Sequence, residues 1–465
     1  MRNKSSKKLS GGFSEVDALE PRRLMSVVPL TSSVIAYGTG QQLRINGTIG
    51  NDTITVTQNE TGLTVSTATG WSQTFNGAYH NIRIAGGRGN DLIQVSENVS
   101  APVMLFGDDG NDTLRGGSGN DSIYGGLGVD SLFGNAGRDS LVSLGGGADV
   151  LTGGEGRDTF WLDAGVTDRV TDASQIETST KAVNRVTGFQ TSRFITGTVK
   201  TQVISREISG QRFRDPDVSN KAYVYKRFDN RPLFSSEGPT ADDVKQGQIG
   251  NCYFLATVAG AAAVTPNTLR NMMTELGDGT YAVRFQTPAG EDRFYRVDND
   301  FAVFSASSTS VAYAKFGDQG STWVAVAEKA YAYHRQQKGT YKSIEAGWMG
   351  EVFTAMGQRQ QLSAWKQDFS SAGAFMNWVE ARLANGDVVT LGITNYSGPL
   401  NLVNGHAYTV TRVETLSDGT KQLVIRNPWG LDGYRNEDGA NDGYVTLSSA
   451  QTFSAIDCFV SGRAA

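Results

Sequence analysis

A nine-residue glycine repeat is the feature that most restricts what this chain can fold into. Each copy holds glycines, an aspartate at a fixed place and an apolar residue two positions after it. Glycine tolerates positive φ, so such turns can expose carbonyl oxygens, and the apolar residue gives each short strand one inward-facing position. Successive copies are therefore expected to stack as an all-β parallel β-roll, or solenoid. The copies begin at Gly107, Gly116, Gly125 and Gly134, with a shortened copy around Asp149 and a last one at 153–160.

The repeat resembles the RTX, or haemolysin-type, calcium-binding nonapeptide. Carboxylate and carbonyl oxygens are the hard ligands that Ca²⁺ requires. Between residues 86 and 163 there are twelve acidic and four basic residues, a balance of −8, which should keep the array loose without calcium. A glycine-rich linker or a metal-free solenoid is the alternative. The aspartates that the resemblance assigns to calcium are Asp91, Asp112, Asp121, Asp130, Asp139, Asp149 and Asp158.

Composition divides the 465 residues into four parts. Residues 1–30 are polar and expected to be disordered, 31–163 alternate as strands and carry the repeats, 164–214 form a connector, and 215–465 are rich in helix and then in strand. The net charge of −5 gives no basic footprint, so nucleic acid is not an expected partner. No apolar run reaches about 18 residues, so no transmembrane helix is expected.

The N-terminus carries a short motif, Leu19–Ser26, that resembles the LEPR-XLL motif of large bacterial surface or secreted proteins. Met25 stands where the motif has its final leucine, and chance similarity is the alternative. The resemblance implies export of a bacterial protein and possible association with the cell surface. The apolar core of an ordinary signal peptide is missing from this region.

A cysteine at a helix start is the candidate nucleophile. Cys252 follows Gly250 and opens an alanine-rich apolar run to Val264 that Pro266 stops, which predicts a buried helix. Unpaired N–H groups and the positive end of the helix dipole favour the thiolate there. A small buried core cysteine is the other interpretation. Since Cys252 and Cys458 are the only cysteines, no disulfide framework is expected, and a single bridge between them would disable the nucleophile.

The strand-rich end of the chain supplies partners for the cysteine. Strands around 407–413 and 422–426 are joined by a short turn, so they predict a hairpin in which His406 and Asn427 are opposite or diagonal neighbours. An amide oxygen that accepts from one imidazole nitrogen fixes the tautomer and leaves the other nitrogen for Cys252. The chain order cysteine, histidine, asparagine is that of papain-like peptidases.

Three motifs, at 246–256, 405–410 and 426–430, together resemble the active-site motifs of the calpain family of cysteine peptidases. The resemblance covers about 215–465 and implies an α+β, papain-like (calpain-type) domain in two parts that hydrolyses peptide bonds. For Trp429, the tryptophan of the third motif, simple packing in the core is the alternative to a role in the active site. The roles implied are nucleophile for Cys252, general base and then acid for His406, orientation of the imidazole for Asn427, oxyanion donor for Gln246 beside the Cys252 N–H, and shielding from water for Trp429.

Calcium within the peptidase core is implied less clearly. Animal calpains bind calcium there, and Asp243, with Gly238 as a carbonyl ligand, matches one such site. Lys342 stands where the family has a glutamate, which places activation through this site in doubt. The acidic residues that could form a second site, or equally a solvated loop, are Asp432, Glu437, Asp438 and Asp442.

These features predict an exported, calcium-stabilised bacterial cysteine endopeptidase that acts on proteins or peptides outside the cell or at its surface. The alternative is a non-catalytic, calcium-dependent surface or adhesive protein whose calpain-like module binds without cutting. The presence of Gln246, Cys252, His406 and Asn427 together favours the enzyme, because a binding module has no need of all four.

Overall fold

The computed structural model describes residues 30–195, 198–204, 215–358, 360–394, 396, 398, 402–433 and 441–463, with the backbone alone for 191–195 and 198–204. The segment expected to be disordered, including Leu19–Ser26, lies outside the described residues. Glu437 and Asp438 of the acidic loop also lie outside them.

The N-terminal part consists almost entirely of short strands. Its elements are β1 (Thr31–Tyr37), β2 (Gly40–Asn46), β3 (Thr53–Asn59), β4 (Gly62–Thr67), β5 (Ser72–Phe75), β6 (Asn81–Arg88), β7 (Leu92–Val95), β8 (Val103–Asp109), β9 (Thr113–Arg115), β10 (Ser122–Leu127), β11 (Ser131–Gly137), β12 (Ser140–Ser143), β13 (Val150–Gly156), β14 (Thr159–Asp163), β15 (Arg169–Val170), α1 (Gln175–Ser179) and β16 (Val183–Val186).

These strands form a β-solenoid of two facing sheets. Sheet A has the order β1-β2-β6-β8-β10-β12-β14-β16, and sheet B has the order β15-β13-β11-β9-β7-β3-β4-β5. Pairing is parallel from β2 and β3 onward, whereas the hairpin of β1 with β2 and the meander of β3 to β5 are antiparallel. The predicted parallel roll is confirmed, and the strands before the repeats extend the same two sheets.

Single apolar positions build the solenoid core. Side chains alternate along each strand, so the residue two after a repeat aspartate faces inward while its neighbours face outward. One layer of leucine-sized side chains therefore fills each turn. The inward residues, all fully buried, include Leu105, Ile123, Leu141 and Phe160 from sheet A and Leu114, Leu132 and Leu151 from sheet B.

The repeat aspartates tie one turn of the solenoid to the next. Each of them is buried, and Oδ1 of Asp130, for example, accepts a 2.8 Å hydrogen bond from the Asp112 amide one turn earlier. The aspartates lie in two columns, one at the start of each sheet. Column A precedes strands of sheet A and contains Asp121, Asp139 and Asp158, whereas column B precedes strands of sheet B and contains Asp91, Asp112, Asp130 and Asp149.

The solenoid continues past residue 163, where the glycine period ends. Glu177 of α1 takes the aspartate's place in column A, because its Oε1 accepts from the Asp158 amide at 2.7 Å. Asp168 does the same for the Asp149 amide in column B at 3.1 Å. Side-chain hydrogen bonds therefore preserve the ladder through β16, although this stretch lacks the glycine signal.

The rest of the chain is a mixed domain, here called the C-terminal domain. Its elements are β17 (Phe189–Ile195), β18 (Thr198–Ile204), β19 (Val224–Arg227), α2 (Cys252–Val264), α3 (Pro266–Met272), β20 (Met273–Glu275), β21 (Thr280–Gln286), β22 (Asp292–Asp298), β23 (Asp300–Val303), α4 (Trp323–His334), α5 (Met349–Ala355), β24 (Leu362–Trp365), α6 (Ala372–Ala384), β25 (Val388–Ile393), β26 (His406–Thr415), β27 (Lys421–Arg426), β28 (Tyr444–Ser448), α7 (Ser449–Ala455) and β29 (Cys458–Gly462).

The C-terminal domain has the two parts that the sequence predicts. The first part holds α2 to α5 and a sheet of order β18-β17-β22-β21-β20. The second is an antiparallel sheet of order β24-β29-β25-β26-β27-β28, packed against α6 and α7. Helix α2 begins and ends at the predicted residues. This combination confirms the predicted α+β fold.

Helix α2 lies where the two parts meet. Oγ1 of Thr409 on β26 donates a 2.6 Å hydrogen bond to the Ala256 carbonyl. Gly260 allows this approach, since a Cβ at that position would lie 2.5 Å from the Val388 side chain of β25. The first residue of α2 is therefore presented to the start of β26.

The outer face of sheet A is covered by the C-terminal domain. Gly277, at a φ of +84°, lets the turn before β21 approach Phe106, whose ring would lie 2.4 Å from an added Cβ. The apolar residues of this contact include Met104, Phe106, Tyr124, Val142 and Trp161 from sheet A and Leu276, Ala282 and Phe294 from the C-terminal domain.

Candidate active site

Cys252 is the first residue of α2 and is half-buried. The backbone N–H of Ala407, the residue after His406, lies close enough to the thiol to lower its pKa, as do the N–H groups of Cys252 and Tyr253. Burial raises the pKa of the Cys252 thiol above its ordinary value, and the three N–H groups oppose that rise. The sulfur therefore sits at the start of β26, next to the predicted histidine.

His406 and Asn427 are paired across the hairpin of β26 and β27. Nε2 of His406 lies 2.9 Å from Oδ1 of Asn427, and both side chains are buried. An amide oxygen only accepts, so Nε2 carries the proton and Nδ1 is left with a free lone pair. The Asn427 oxygen also accepts from the Trp429 amide at 3.0 Å, which fixes the orientation of the carboxamide.

Burial sets the protonation state of this pair. It lowers the pKa of His406 to about 4, although the hydrogen bond to Asn427 acts in the opposite direction. Since burial also raises the pKa of Cys252, it favours the neutral form of both the thiol and the imidazole. Such a pair can transfer a proton from sulfur to nitrogen at the moment of attack.

Gln246 links the loop before α2 to the loop after β27. Its backbone N–H donates to the Pro428 carbonyl at 2.8 Å, and its Nε2 donates to the Ile249 carbonyl at 2.6 Å. An amide nitrogen has two hydrogens. One N–H of Gln246 is thus engaged in holding the loop that leads to Cys252.

Trp429 lies over the histidine. The centroids of the Trp429 and His406 rings are 5.1 Å apart, and Tyr408 meets the imidazole edge-on at 5.0 Å. The two aromatic rings exclude water from much of the imidazole, which accounts for the lowered pKa.

A buried glutamate that the sequence analysis missed braces the nucleophile. Glu328 of α4 accepts from Nδ2 of Asn251 at 2.6 Å and from the Ala314 amide at 2.9 Å. Its side chain is 1% exposed, and burial raises its pKa to about 7. The available signal was an acidic residue inside the apolar run of α4, where a charge needs a partner.

Arg426, also missed, joins the two parts of the C-terminal domain. Its Nη2 donates to the Val244 carbonyl at 2.9 Å, and its Nε lies 3.2 Å from Oδ1 of Asp242. Tyr444 donates to the same Asp242 oxygen at 2.8 Å. Since Arg426 directly precedes Asn427, these bonds hold Asn427 in register with the loop that carries Gln246.

Asp243, the candidate for calcium in the core, is completely buried and has four protein donors. The Gly238 carbonyl accepts from Ser235 Oγ, and Lys342 forms an ion pair with Glu345. These contacts supply Asp243 with partners from the protein itself, so a metal at this position stays a prediction. The donors to Asp243 are the amides of Thr240 and Asp318, Ser321 Oγ and Trp323 Nε1.

The described part of the acidic loop contains Asp432 and Asp442. Asp432 is buried and accepts from the Gly443 amide at 2.9 Å, while Asp442 accepts from the Tyr444 amide. Both roles stabilise the turn after Trp429. The choice between a metal site and a solvated loop depends on residues outside those described.

The solenoid turns offer the oxygen ligands that calcium prefers. At Gly107, an added Cβ would lie 2.3 Å from both Asp112 Oδ2 and the Gly125 carbonyl, so these two oxygens share one space. Within the described ranges no three His, Cys, Asp or Glu side chains converge, so carbonyls must complete any coordination shell. The carboxylate oxygens that are buried without a hydrogen-bond partner in this part of the chain include Oδ2 of Asp91, Asp112, Asp130, Asp139 and Asp149.

Burial disfavours the ionised form of these carboxylates unless a cation is bound beside them. Burial raises the pKa of Asp139 to about 9 and that of Asp149 to about 8. A bound divalent cation would offset this cost and satisfy the unpaired oxygens. The donor set therefore fits Ca²⁺.

Comparison with known proteins agrees with these features. Residues 213–441 match the family model of the calpain family cysteine proteases, and residues 106–141 and 142–166 match that of the RTX calcium-binding nonapeptide repeat. The chain thus carries a calpain-type cysteine protease domain preceded by RTX calcium-binding repeats. Among the described residues, none of the helices has the length and apolar character to span a membrane.

Similar proteins come from plants and animals. The calpain-type cysteine protease DEK1 of Zea mays is 27% identical over 210 residues, which is 43% of this chain and 9% of that protein. Calpain-9 of Rattus norvegicus is 26% identical over 255 residues, 48% of this chain and 35% of its own length. Calpain-A of Drosophila melanogaster is 24% identical over 278 residues, 49% and 30% respectively. The chain therefore matches well under half the length of these relatives.

Proposed function

We propose that the calpain-type domain is a cysteine endopeptidase in which Cys252, His406 and Asn427 act as a triad. The observation that carries the proposal is the 2.9 Å contact between His406 Nε2 and Asn427 Oδ1. The Cys252 thiol lies near the backbone N–H of the next residue along β26, Ala407, which acts on its pKa. The contact with Asn427 leaves Nδ1 of His406 as the free base beside a thiol.

The chemistry follows from the neutral pair. As the sulfur attacks the peptide carbonyl carbon, the thiol proton moves to Nδ1 of His406. The C–N bond then breaks, the same proton passes to the leaving amine, and a thioester remains on Cys252. Water, deprotonated by Nδ1, hydrolyses the thioester and restores the thiol. Asn427 keeps the imidazole in the required tautomer throughout.

Stabilisation of the oxyanion is assigned to two donors. The Cys252 N–H lies at the N-terminus of α2, where backbone N–H groups lack helical partners. Gln246 Nε2 supports the second position, because only one of its hydrogens is needed for the Ile249 carbonyl. Removing one such donor typically costs about 10²–10³ in rate.

The solenoid is proposed to hold calcium through columns A and B and to work outside the cell. Bound calcium would supply positive charge between turns in which several carboxylates have one oxygen without a hydrogen-bond partner. Extracellular calcium is millimolar, which suits the weak sites of extracellular modules. The RTX match and the N-terminal motif support export of a bacterial protein to the cell surface or beyond it.

The triad is tested by comparing Cys252→Ala and His406→Ala with Cys458→Ala in the full chain with calcium. Hydrolysis of a quenched fluorescent peptide should fall to background in the first two and persist in the third, because Cys458 is a buried strand residue. Iodoacetamide should label Cys252 much faster than Cys458. Turnover by Cys252→Ala would refute Cys252 as the nucleophile. Equal slow labelling of both cysteines, together with no turnover by the unsubstituted chain, would support a binding module.

A further inference from the structure

We propose that sheet A of the solenoid is a calcium-dependent brace for the catalytic helix, and that Asn271 is the positioning residue that joins them. The inference rests on the proposed role of Cys252, and it assigns a target within the peptidase domain to calcium bound in the solenoid.

A short, rigid path connects the nucleophile to the solenoid. Helix α2 runs from Cys252 to Val264, and α3 starts at Pro266 with only Thr265 between them. Thr265 caps the end of α2 and also precedes α3, whose first position is the proline. Asn271, the next-to-last residue of α3, is 7% exposed. A displacement of Asn271 is therefore passed directly to α2.

The solenoid satisfies every polar group of the Asn271 side chain. Oδ1 accepts from Thr159 Oγ1 at 3.2 Å, and Nδ2 donates to the Thr180 carbonyl at 3.1 Å. The Asn271 backbone carbonyl also accepts from Asn184 Nδ2 at 3.1 Å. These partners belong to β14, to the turn after α1 and to β16, three successive pieces of the solenoid. Such a buried, fully paired group specifies one docking geometry.

A second contact lies one turn away. Ser140 Oγ and Thr274 Oγ1 are 2.8 Å apart, and Thr274 belongs to β20, which directly follows α3. The apolar contact continues the same face, with Trp161 fully buried and its ring 6.0 Å from that of Phe294. The docking surface thus combines specific hydrogen bonds with a dry aromatic core.

Two of the hydrogen-bonding residues of sheet A directly follow a column A aspartate. Ser140 follows Asp139, and Thr159 follows Asp158. The corresponding residue of sheet B, Ser131 after Asp130, lies in the opposite sheet and makes no contact of this kind among the described residues. Calcium that orders column A therefore orders the residues that hold Asn271.

Linkage makes this coupling reciprocal. If calcium stabilises the turns that bind α3, then binding of α3 must raise the affinity of the solenoid for calcium by the same factor. Typical couplings between sites are roughly 5- to 150-fold. The brace can therefore be measured from calcium binding alone, with the nucleophile removed.

The test uses the full chain carrying Cys252→Ala, with calcium-driven ordering of the solenoid followed by circular dichroism. Adding Asn271→Ala or Ser140→Ala should raise the calcium concentration at the midpoint by about fivefold or more. Ser131→Ala, the matched control, should leave it unchanged. Hydrogen exchange in α2 and α3 should slow with calcium in the parent and stay fast in the Asn271 variant.

Unchanged calcium midpoints in both Asn271→Ala and Ser140→Ala would overturn the brace. Activity is then measured with Cys252 restored: Ser140→Ala should lower kcat, leave KM nearly unchanged and recover activity at higher calcium, whereas a purely structural loss would not recover. If these substitutions shift the calcium midpoint but the chain with Cys252 restored cuts no peptide, the proposed function is refuted and the brace is still supported.

Discussion

Oε1 of Glu328 and Nδ2 of Asn251 form a 2.6 Å hydrogen bond directly behind the candidate nucleophile. The other carboxylate oxygen of Glu328 accepts from the Ala314 amide. Helix α4 thereby holds both the residue before Cys252 and the loop segment at Ala314 with one side chain. Neither Asn251 nor Glu328 is exposed, so water cannot replace the contact.

Glu328→Ala should reduce the free energy of unfolding by about 2–4 kcal/mol, because it leaves two buried donors without acceptors. Peptide hydrolysis should fall further than stability alone explains, since Asn251 loses its orientation. Glu345→Ala is the matched control and should change stability by less than about 0.5 kcal/mol, as its partner Lys342 is exposed. Equal denaturant midpoints for the two variants would contradict the brace by Glu328.

The pH dependence of stability should reveal the same residue. Burial raises the pKa of Glu328 to about 7 from an ordinary value of 4.5, so the folded state holds its proton longer than the unfolded state. This contribution to stability is complete below pH 4.5 and is lost as the pH rises to about 7. Subtracting the curve of Glu328→Gln, which cannot titrate, from that of the natural chain should isolate this fall. A flat difference between pH 4.5 and 7.5 would show that Glu328 is ionised throughout.

Much of the site was predictable because its signals are local. The backbone preferences of Gly250 and Pro266 mark where α2 can start and where it must end. The alternation of side chains along β26 and β27 fixes which positions of the hairpin face each other. The side chains of His406 and Asn427 therefore meet as expected, 21 residues apart in the chain.

Contacts between distant segments were not predictable in the same way. Asn251 and Glu328 are 77 residues apart, and no periodic pattern relates them. Glu177 replaces a repeat aspartate through one hydrogen bond, which a glycine-based register does not detect. The docking of sheet A did leave a signal: Tyr124 and Trp161 are aromatic at outward positions where a solvated strand would be polar.

Removal of the Trp429 ring should shift the acidic side of the profile of kcat/KM against pH. Burial lowers the pKa of His406 to about 4, so activity that needs a neutral imidazole should extend down to about pH 4. Trp429→Ala exposes the imidazole and should move its pKa upward, toward 6.5. Profiles of kcat/KM against pH, measured where both proteins remain folded, should show the limb at higher pH in the variant. Coincident limbs would mean that Trp429 does not desolvate His406.

Loss of Arg426 should uncouple the two parts of the peptidase domain. Arg426→Met removes the donor to the buried Val244 carbonyl and should cost about 1–3 kcal/mol of stability. Hydrolysis should fall at least tenfold, because Asn427 and Gln246 lose their common anchor. Arg412→Met is the control, since Arg412 is half-exposed on β26 and pairs with its neighbour Glu414. Equal activity of the two variants would show that Arg426 is dispensable for alignment.

Gly128 tests the packing between successive turns of the solenoid. Its φ is +137°, and a Cβ there would lie 1.8 Å from the Gly110 carbonyl of the previous turn. Gly128→Ala therefore combines backbone strain with a collision between turns, and crowding of this kind typically costs about 1–3 kcal/mol. Gly70→Ala has a similar strain at +92° but no neighbour within 4 Å, so it isolates the cost of positive φ. Thermal unfolding with calcium should show a clearly larger loss for Gly128→Ala, together with weaker calcium binding. Equal losses would mean that the turns can separate enough to admit a methyl group, and that the stacked carbonyls are not fixed closely enough to define the calcium sites.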